Sequence, residues 1–206
     1  MPGLIRALER ALTADRVFGD AAGRTAYEFD ASLAHGRPRV VVLPESAEEV
    51  RRVVAVAREF DLPVVPRGAG TGLSGGAIPS EGGIVVAFTR MDRILEVDPR
   101  DRRALVEPGV VNDRLTTAAA KHGLYYAPDP SSQRICTLGG NVAENSGGAH
   151  CLAHGTTTNY VLGLEVALAG GGLVWLGSDA GDAAGYDLRG AVVGSEGALG
   201  IVTKIA

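Results

Sequence analysis

A glycine-rich stretch directly after an apolar run is the feature that most limits how this chain can fold. The segment PRGAGTGLSGG, residues 66–76, has glycine at five of its eleven positions and follows Pro63-Val64-Val65. A backbone without Cβ atoms can bring its N–H groups unusually close to another group. The stretch therefore predicts a close approach between backbone and ligand, with a ligand-free surface turn as the alternative.

The residues before this stretch predict a βαβ unit. Val40-Val41-Val42-Leu43 is typical of a buried strand, which Pro44 closes. Ser46 and Glu49 have the spacing of a capping box and predict the start of a helix. The apolar stripe of this helix consists of Val50, Val53, Val54 and Ala57. The strand predicted after it is Pro63–Val65.

The letters Gly70-Thr71-Gly72-Leu73-Ser74-Gly75 match G-x-G-x-x-G, the fingerprint of dinucleotide-binding Rossmann folds. In that fold the loop opens a helix that receives the pyrophosphate. Here Pro79, Gly82 and Gly83 follow, and then a predicted strand. The context excludes a Rossmann fold but leaves an anion-binding concavity of backbone amides, with Arg67 as a nearby charge.

Two further segments expose backbone in the same way. Residues 137–148 read TLGGNVAENSGG, and residues 194–200 read GSEGALG. We refer to residues 66–76, 137–148 and 194–200 as the first, second and third glycine segments. Three such segments in one chain favour an extended ligand that carries phosphates at one end.

The rest of the chain predicts a strand-rich second layer. An amphipathic helix with Leu4, Ile5, Leu8 and Leu12 is expected to pack on the surface at the N-terminus. Asn112 is expected to cap a helix that Gly123 ends. The predicted strands are Ile84–Phe88, Ile94–Val97, Ala104–Glu107, a hairpin of Val161–Leu168 with Leu173–Gly177, and Ala198–Ile205.

Composition and charge exclude several classes of function. The formal net charge is -4 with interspersed signs, and only 5% of the residues are aromatic, so we expect no nucleic-acid partner. No apolar run is long enough for a transmembrane segment, and the N-terminus lacks the layout of a signal peptide. Cys136 and Cys151 form no disulfide framework, which predicts reduced thiols and a cytoplasmic location.

Four motifs in order resemble one known family. They are PRGAGTGLSGG at 66–76, PDPSS at 128–132, TLGGNVAENSGGAHCL at 137–152 and GSEGALGIVT at 194–203. Together they resemble the FAD-binding domain of the vanillyl-alcohol-oxidase superfamily, also called PCMH-type. Within it, they are most similar to the FAD subunit of glycolate oxidase and to D-lactate and D-2-hydroxyglutarate dehydrogenases. The resemblance implies an α+β fold of two subdomains, which we place at residues 1–88 (βαβ, with the pyrophosphate loop) and 89–206.

The resemblance also implies which residues hold FAD. The first glycine segment would wrap the pyrophosphate, the second would line the flavin and its ribityl chain, and the third would complete the adenosine end. The implied cofactor-binding residues are Arg67, Gly68, Ala69, Gly70, Thr71, Gly72, Leu73, Ser74, Gly75, Gly76, Pro130, Ser132, Thr137, Gly140, Asn141, Asn145, Gly147, Gly148, Glu196, Gly197 and Ile201.

Some relatives in this superfamily attach the flavin covalently to a histidine of the first glycine loop. The first glycine segment contains no histidine, so we expect non-covalent FAD. His150 and Cys151 are the other candidates for a covalent bond, and together with His154 they are expected to pack or hydrogen-bond locally instead.

The chemistry implied by the resemblance is hydride transfer from the α-carbon of a 2-hydroxy acid, of the glycolate or D-lactate type, to flavin N5. Full-length relatives carry a C-terminal substrate domain with a metal site, and we expect that domain to lie outside these residues. No metal site and no catalytic residue is assigned, because His35, His122, His150 and His154 lack metal or triad spacing. Arg134 remains ambiguous, because it can either bind a substrate carboxylate or lie at the solvated rim of the site. Asp129 is ambiguous as well, because a carboxylate between two prolines can simply stabilise a tight turn.

Two other functions remain open at this point. One is a flavin-binding subunit or fragment of a larger oxidoreductase complex that turns over no substrate itself. The other is a nucleotide-sugar flavoenzyme of the same superfamily, which the PDPSS and NVAENSGG motifs favour less. The partners we expect are a 2-hydroxy acid and, in the first case, other oxidoreductase subunits.

Overall fold

The computed structural model describes residues 2–79, 82–178 and 185–206. These residues form helices and two separate sheets. The helices are α1 (Pro2–Ala11), α2 (Ala21–Thr25), α3 (Ala47–Glu59), α4 (Asn112–Ala120), α5 (Leu138–Glu144), α6 (Cys151–His154) and α7 (Leu188–Val192). The strands are β1 (Val17–Phe18), β2 (Val40–Val42), β3 (Val64–Arg67), β4 (Ile84–Ala87), β5 (Ile94–Asp98), β6 (Arg103–Val106), β7 (Gly163–Ala167), β8 (Leu173–Gly177) and β9 (Ile201–Ile205).

The first sheet has the strand order β1-β2-β4-β3. Strands β2 and β3 of the predicted βαβ unit both lie parallel to β4, which separates them. One face of β2 and β4 packs under α1 and α3, and the other face carries Val41 and Val85 against residues such as Phe18 and Tyr27. Burial on both faces explains why these strands are continuous apolar runs instead of alternating ones.

Helix α3 begins where the sequence predicts, but half of the expected capping box is different. Ser46 accepts a hydrogen bond from the N–H of Glu49, as predicted. The Glu49 carboxylate, however, accepts from the N–H of Glu45 instead of that of Ser46. It is drawn there because it also receives two hydrogen bonds from the buried guanidinium of Arg16, at 2.6 and 2.9 Å.

The second sheet has the order β5-β6-β9-β7-β8, and all of its pairings are antiparallel. The predicted hairpin is confirmed as β7 and β8, which pair from Gly163 opposite Gly177 to Ala167 opposite Leu173. One face of this sheet packs against α4, α5 and α7 in a second core, which contains Leu115, Val142 and Val192.

The amphipathic helix predicted at the N-terminus is confirmed as α1, which buries Leu4 and Leu8 against α3. Two sequence predictions need correction. Asn112 is the first residue of α4 and not its cap, because its fully buried amide donates to Pro128 O at 3.0 Å. The last strand begins at Ile201, and residues 198–199 of the predicted strand form a bend before it. The second glycine segment contains α5, a helix for which the sequence analysis made no prediction.

The two sheets share part of one core. Helix α3 contacts β7 and β9 of the second sheet, and Ala167 and Ile201 belong to the same apolar cluster as Leu8 and Val53. The first sheet ends at Ala87 and the second begins at Ile94. A division of the chain at residue 88 remains a prediction.

The Arg16 and Glu49 pair predicts a specific loss of stability. Burial by itself raises the pKa of Glu49, but the hydrogen bonds from Arg16 and from the Glu45 N–H, together with the Arg16 charge, lower it overall. Glu49→Gln should reduce the free energy of unfolding in urea by about 1–3 kcal/mol at pH 7, because it weakens hydrogen bonds between buried groups.

The pH dependence of this loss has a defined sign. A carboxylate whose pKa is lowered in the folded state contributes stability above its unfolded pKa of about 4.3, and that contribution disappears as the pH falls through the folded pKa. The difference between wild type and Glu49→Gln should therefore shrink in acid. Glu48→Gln is the control, since Glu48 pairs with Arg51 at the surface and its loss should change stability little. Equal urea midpoints for wild type and Glu49→Gln would contradict the assignment.

Candidate functional site

The three glycine segments meet at one place in the fold. A Cβ on Gly68 in the first segment would collide with Thr137 Oγ1 in the second. The second and third segments are joined by hydrogen bonds from Gly194 N to Val142 O and from Glu196 N to Ala143 O, at 2.8 and 2.9 Å. A Cβ on Gly197 in the third segment would lie 2.5 Å from Pro66 Cγ. Side chains at Gly68 and Gly197 would force the segments apart.

A cleft of about 370 Å³ lies where these segments meet, between the two sheets. Its volume is in the range of small-molecule sites. Most of the predicted cofactor-binding residues line it, namely Arg67, Gly68, Ala69, Gly70, Thr71, Gly72, Leu73, Ser74, Gly76, Ser132, Thr137, Gly140, Asn141, Glu196 and Gly197. Gly75 lies within the same loop without lining the cleft.

The first glycine segment presents free backbone donors. From Gly68 to Ala77, no backbone N–H donates a hydrogen bond to any residue in the described part of the chain. The loop is held instead through its carbonyls, because Gly70 O accepts from Ala31 N and Gly75 O accepts from Ile78 N, each at 3.0 Å. A run of unpaired amides on glycine backbone can surround an anion such as a diphosphate.

A buried cation lies beneath the start of this loop. Arg67 is 7% exposed, its Nη1 donates to Ala77 O at 3.4 Å, and its guanidinium carbon is 5.6 Å from the centre of the Tyr27 ring. Burial lowers the pKa of Arg67, while the charge of Asp30 opposes that shift. Gly70 has a φ of +69°, and a Cβ there would collide with the guanidinium. Glycine is therefore needed for the loop to pass over Arg67.

The second glycine segment enters the cleft through α5. Thr137 caps this helix by accepting a hydrogen bond from Gly140 N at 3.3 Å. Asn141 is 1% exposed, and its Nδ2 has no hydrogen-bond acceptor within the described residues. The polar group beside its side chain is the thiol of Cys136. Ser195 Oγ in the third segment is also buried without a partner there. Both residues line the cleft, so both can serve a ligand.

The remaining predicted residues lie near the cleft but do not line it. Asn145 ends α5 in the left-handed conformation and accepts from Thr158 N at 3.0 Å. Gly147 and Gly148 allow close packing against Cys151 and Asp129. Pro130 O accepts from Gln133 N in a turn, and Ile201 is buried in the first core.

The cleft also contains residues that the sequence analysis did not select, of which Glu144, Ser146 and Ser195 are polar. Ser146 and Ser195 lie within two of the motifs named above. Their position next to predicted cofactor-binding residues was the sequence signal that could have identified them. Glu144 was missed because α5 was missed. The spacing of the Thr137 cap with the apolar residues Leu138 and Val142 was the local signal for that helix.

The histidines form no site in the described residues. His150 Nδ1 is hydrogen-bonded to the Asp129 carboxylate, which lowers the pKa of Asp129. His150 and His154 are neighbours on an exposed surface outside the cleft. Cys136 and Cys151 are free, and burial raises the pKa of the Cys136 thiol. Across residues 2–79, 82–178 and 185–206, no cluster of metal-binding side chains occurs.

Among the described helices, none combines the length and apolar character that crossing a bilayer requires.

Comparisons with known proteins agree with this geometry. Residues 38–177 match the family model of an FAD binding domain. The chain is 51% identical over 180 residues to the glycolate oxidase subunit GlcD of Escherichia coli K12, an alignment covering 87% of this chain and 36% of that protein. It is 43% identical over 185 residues to a D-lactate dehydrogenase of Archaeoglobus fulgidus, covering 87% and 41% respectively.

A solved structure shows the same fold over the whole chain. The structure of an alkyldihydroxyacetonephosphate synthase superposes on it with a TM-score of 0.87 and 27% identity, covering 100% of this chain and 43% of that one. The α+β fold class predicted from the sequence is confirmed. This chain spans less than half the length of each of these three proteins.

The first glycine segment permits a test that separates ligand binding from folding. A Cβ on Gly72 would meet nothing closer than Glu144 Oε1 at 3.5 Å, and its backbone conformation is an ordinary one. Gly72→Val should therefore leave the urea midpoint of the cofactor-free protein unchanged. It should weaken FAD binding by about 1–3 kcal/mol, because the added side chain fills space beside the ligand.

Gly172→Val is the matched control for this experiment. Gly172 lies in the turn between β7 and β8, and a Cβ there has nothing within 4 Å. The control should bind FAD with the wild-type dissociation constant in a fluorescence titration. If Gly72→Val binds FAD as tightly as Gly172→Val does, the loop does not contact the cofactor.

Proposed function

Because this chain belongs to the FAD binding domain family, we propose that it is the FAD-binding part of a flavin-dependent 2-hydroxy acid dehydrogenase or oxidase. FAD is the cofactor, and the proposed substrates are of the glycolate or D-lactate type. The observation that carries the proposal is the convergence of three glycine segments on a cleft with unpaired donors, in a chain about half identical to a glycolate oxidase subunit.

The residues of the cleft suit the different parts of FAD. The free amides of residues 68–77 and the Arg67 charge fit the diphosphate. The buried Nδ2 of Asn141 and the Oγ of Ser195 provide a donor and a hydroxyl for polar groups further along the cofactor. When bound, FAD supplies a flavin ring that can accept a hydride from the α-carbon of a hydroxy acid. The protein's part is to bind and orient the cofactor.

The substrate needs groups beyond those assigned to the cofactor. Oxidation of a hydroxyl requires a base for its proton and a cation for the carboxylate, in a place from which water is excluded. Among the described residues, no histidine lines the cleft and no metal-binding cluster is present. We propose that both groups correspond to the part of the similar, longer proteins that these 206 residues do not cover. No catalytic residue is assigned within the chain.

A flavin-binding subunit without its own turnover is the second candidate, and one observation favours it. The similar GlcD protein is named as a subunit of glycolate oxidase, so other oxidoreductase subunits are proposed partners of this chain. We also propose a cytoplasmic location, supported by the two free cysteines.

Anaerobic spectroscopy of the FAD-loaded chain tests the function. The 206 residues should bind FAD and display its visible absorption bands. Addition of glycolate or D-lactate should not bleach those bands, because the base and the carboxylate-binding cation lie elsewhere, whereas dithionite should bleach them. Bleaching by a hydroxy acid would show that a catalytic base lies within the chain, and failure to bind FAD would contradict the assignment of the cleft.

Acid precipitation of the FAD-loaded chain tests the prediction of non-covalent binding. All flavin absorbance should remain in the supernatant, because the first glycine segment contains no histidine or cysteine to form a bond with the ring. A Cys151→Ser variant is the control for the thiol considered above as a candidate for covalent attachment, and it should release the same amount. Yellow colour that stays with the precipitated protein would overturn the prediction.

A further inference from the structure

The edge strands of the two sheets are protected from pairing with other chains to different degrees. An edge strand presents unpaired backbone groups, and proteins prevent unwanted pairing there with short strands, bulges, prolines or charged side chains. Three of the four edge strands in the described residues have such a feature. Strand β1 has only two residues, β3 contains Pro66 and Arg67, and β5 has a bulge between Ile94 and Glu96.

The fourth edge strand, β8, has none of these features. Its five residues, LVWLG, include no charged side chain and no proline. Its pairing with β7 runs without a bulge from Gly163 opposite Gly177 to Ala167 opposite Leu173. A regular, apolar and uncharged edge of this kind is a template on which another strand can pair.

The outer edge of β8 presents free backbone groups at two positions. The hydrogen bond from Leu168 N to Gly172 O sets the alternation of this antiparallel hairpin, in which every second residue bonds to the neighbouring strand. The backbone groups of Leu173 and Trp175 therefore point away from β7, toward the open edge. No backbone group in the described part of the chain pairs with them there.

Large apolar side chains are exposed along the same edge. Trp175 is 41% exposed, and its indole lies across Gly163 of β7, where a Cβ would collide with the ring. Helix α7 contacts β8 and begins with the exposed Leu188, two residues after the exposed Tyr186. Aromatic residues are enriched at the centres of protein interfaces. The edge of β8 thus combines free backbone groups with the side chains typical of an interface.

We propose that β8 is a dimerisation edge, on which β8 of a second copy of this chain pairs antiparallel about a twofold axis beside Trp175. In this pairing the Trp175 N–H of each copy donates to the Trp175 carbonyl of the other, because both groups face the open edge. The two second sheets become one continuous sheet of ten strands, five from each copy.

A second copy suits this edge because β8 is complementary to itself. A twofold pairing places residues of one strand opposite residues of the same strand, and like charges directly opposite each other destabilise a sheet. Strand β8 has no charged residue, so its self-pairing brings no charges together. The same pairing of β5 about Glu96 would place two carboxylates face to face. Twofold dimers are also the commonest oligomers of soluble proteins.

The variant Trp175→Lys tests this interface. At about 100 µM, where a dimer with a dissociation constant of about 1 µM is mostly formed, light scattering should give wild type twice the mass of one chain. Lysine at position 175 places two positive charges opposite each other across the axis. The variant should therefore have the mass of a single chain and bind FAD as wild type does, since β8 does not line the cleft.

Mixing two variants tests the register of the pairing. Trp175→Glu should also be monomeric, because it places two carboxylates opposite each other. An equal mixture of Trp175→Lys and Trp175→Glu should form a dimer again, since lysine then faces glutamate. A residue needed only for the folding of its own chain would not be rescued by mixing.

Leu95→Lys is the matched control. Leu95 lies in β5, on the opposite edge of the same sheet, and is 40% exposed. The same substitution at this similar exposure should leave the dimer intact.

Tryptophan fluorescence gives a second measurement on the unmodified protein. Trp175 is the only tryptophan in the chain. Its emission should shift to longer wavelengths as wild type is diluted, because water reaches the indole when the dimer dissociates. An emission maximum that is independent of concentration while the mass falls from two chains to one would place the interface away from Trp175 and overturn the proposal.

The remaining outcomes are equally decisive. A single-chain mass for wild type at about 100 µM would overturn the proposal, even if a strand of another oxidoreductase subunit covers β8 instead. A dimer that survives Trp175→Lys, or a mixture that stays monomeric, would overturn it as well. None of these results bears on FAD binding, so this proposal and the proposed function can fail separately.

Discussion

The constraint on which this structure depends is a run of backbone N–H groups that find no acceptor among the described residues. From Gly68 to Ala77, where every residue is half-buried or exposed, the described residues offer these amides no acceptor. The loop can hold this conformation because its carbonyls and the buried Arg67 fix it from below. The loop lines the cleft, and the surrounding elements hold it in place there.

The first sheet explains where this loop lies. Strands β3 and β4 are parallel neighbours, so their carboxyl ends lie at one edge, where Phe88 N donates to Arg67 O. Ligands of open parallel sheets bind outside the carboxyl ends of the strands. Here the second sheet closes the other side of that space, and α3 packs against both sheets. The cleft is therefore a product of two layers that share a core.

Binding and stability make opposite demands where the glycine segments meet. Asn145 and Glu196 both adopt the left-handed conformation, one at the end of α5 and the other in the third glycine segment. Glycine would relax either position, but it would remove a side chain, and the Asn145 side chain pairs with Thr158 N. A ligand that binds only the folded protein adds stability by mass action. Strain at this junction can therefore be compensated by the cofactor.

Much of the first layer could be predicted from the sequence, because the relevant information is local. The apolar run at Val40, the cap at Ser46 and the stripe along α3 each lie within a few residues of one another, and the structure contains the strand and helix they predict. The structure of the second glycine segment was harder to predict, since glycine disfavours helices and two glycines lie within α5. That helix is stabilised by burial of Leu138 and Val142 and by bonds to the third segment.

By itself, the sequence determined the family, the main strands and the glycine-rich backbone that a ligand requires, since these depend on residue types at short spacing. Only the tertiary structure decided that β4 lies between β2 and β3, that Glu49 pairs with Arg16, and that Glu144 meets Glu196 beside Gly76. Each of these contacts joins residues far apart in the chain. Packing brings them together, and no periodicity or motif in the sequence records the pairing.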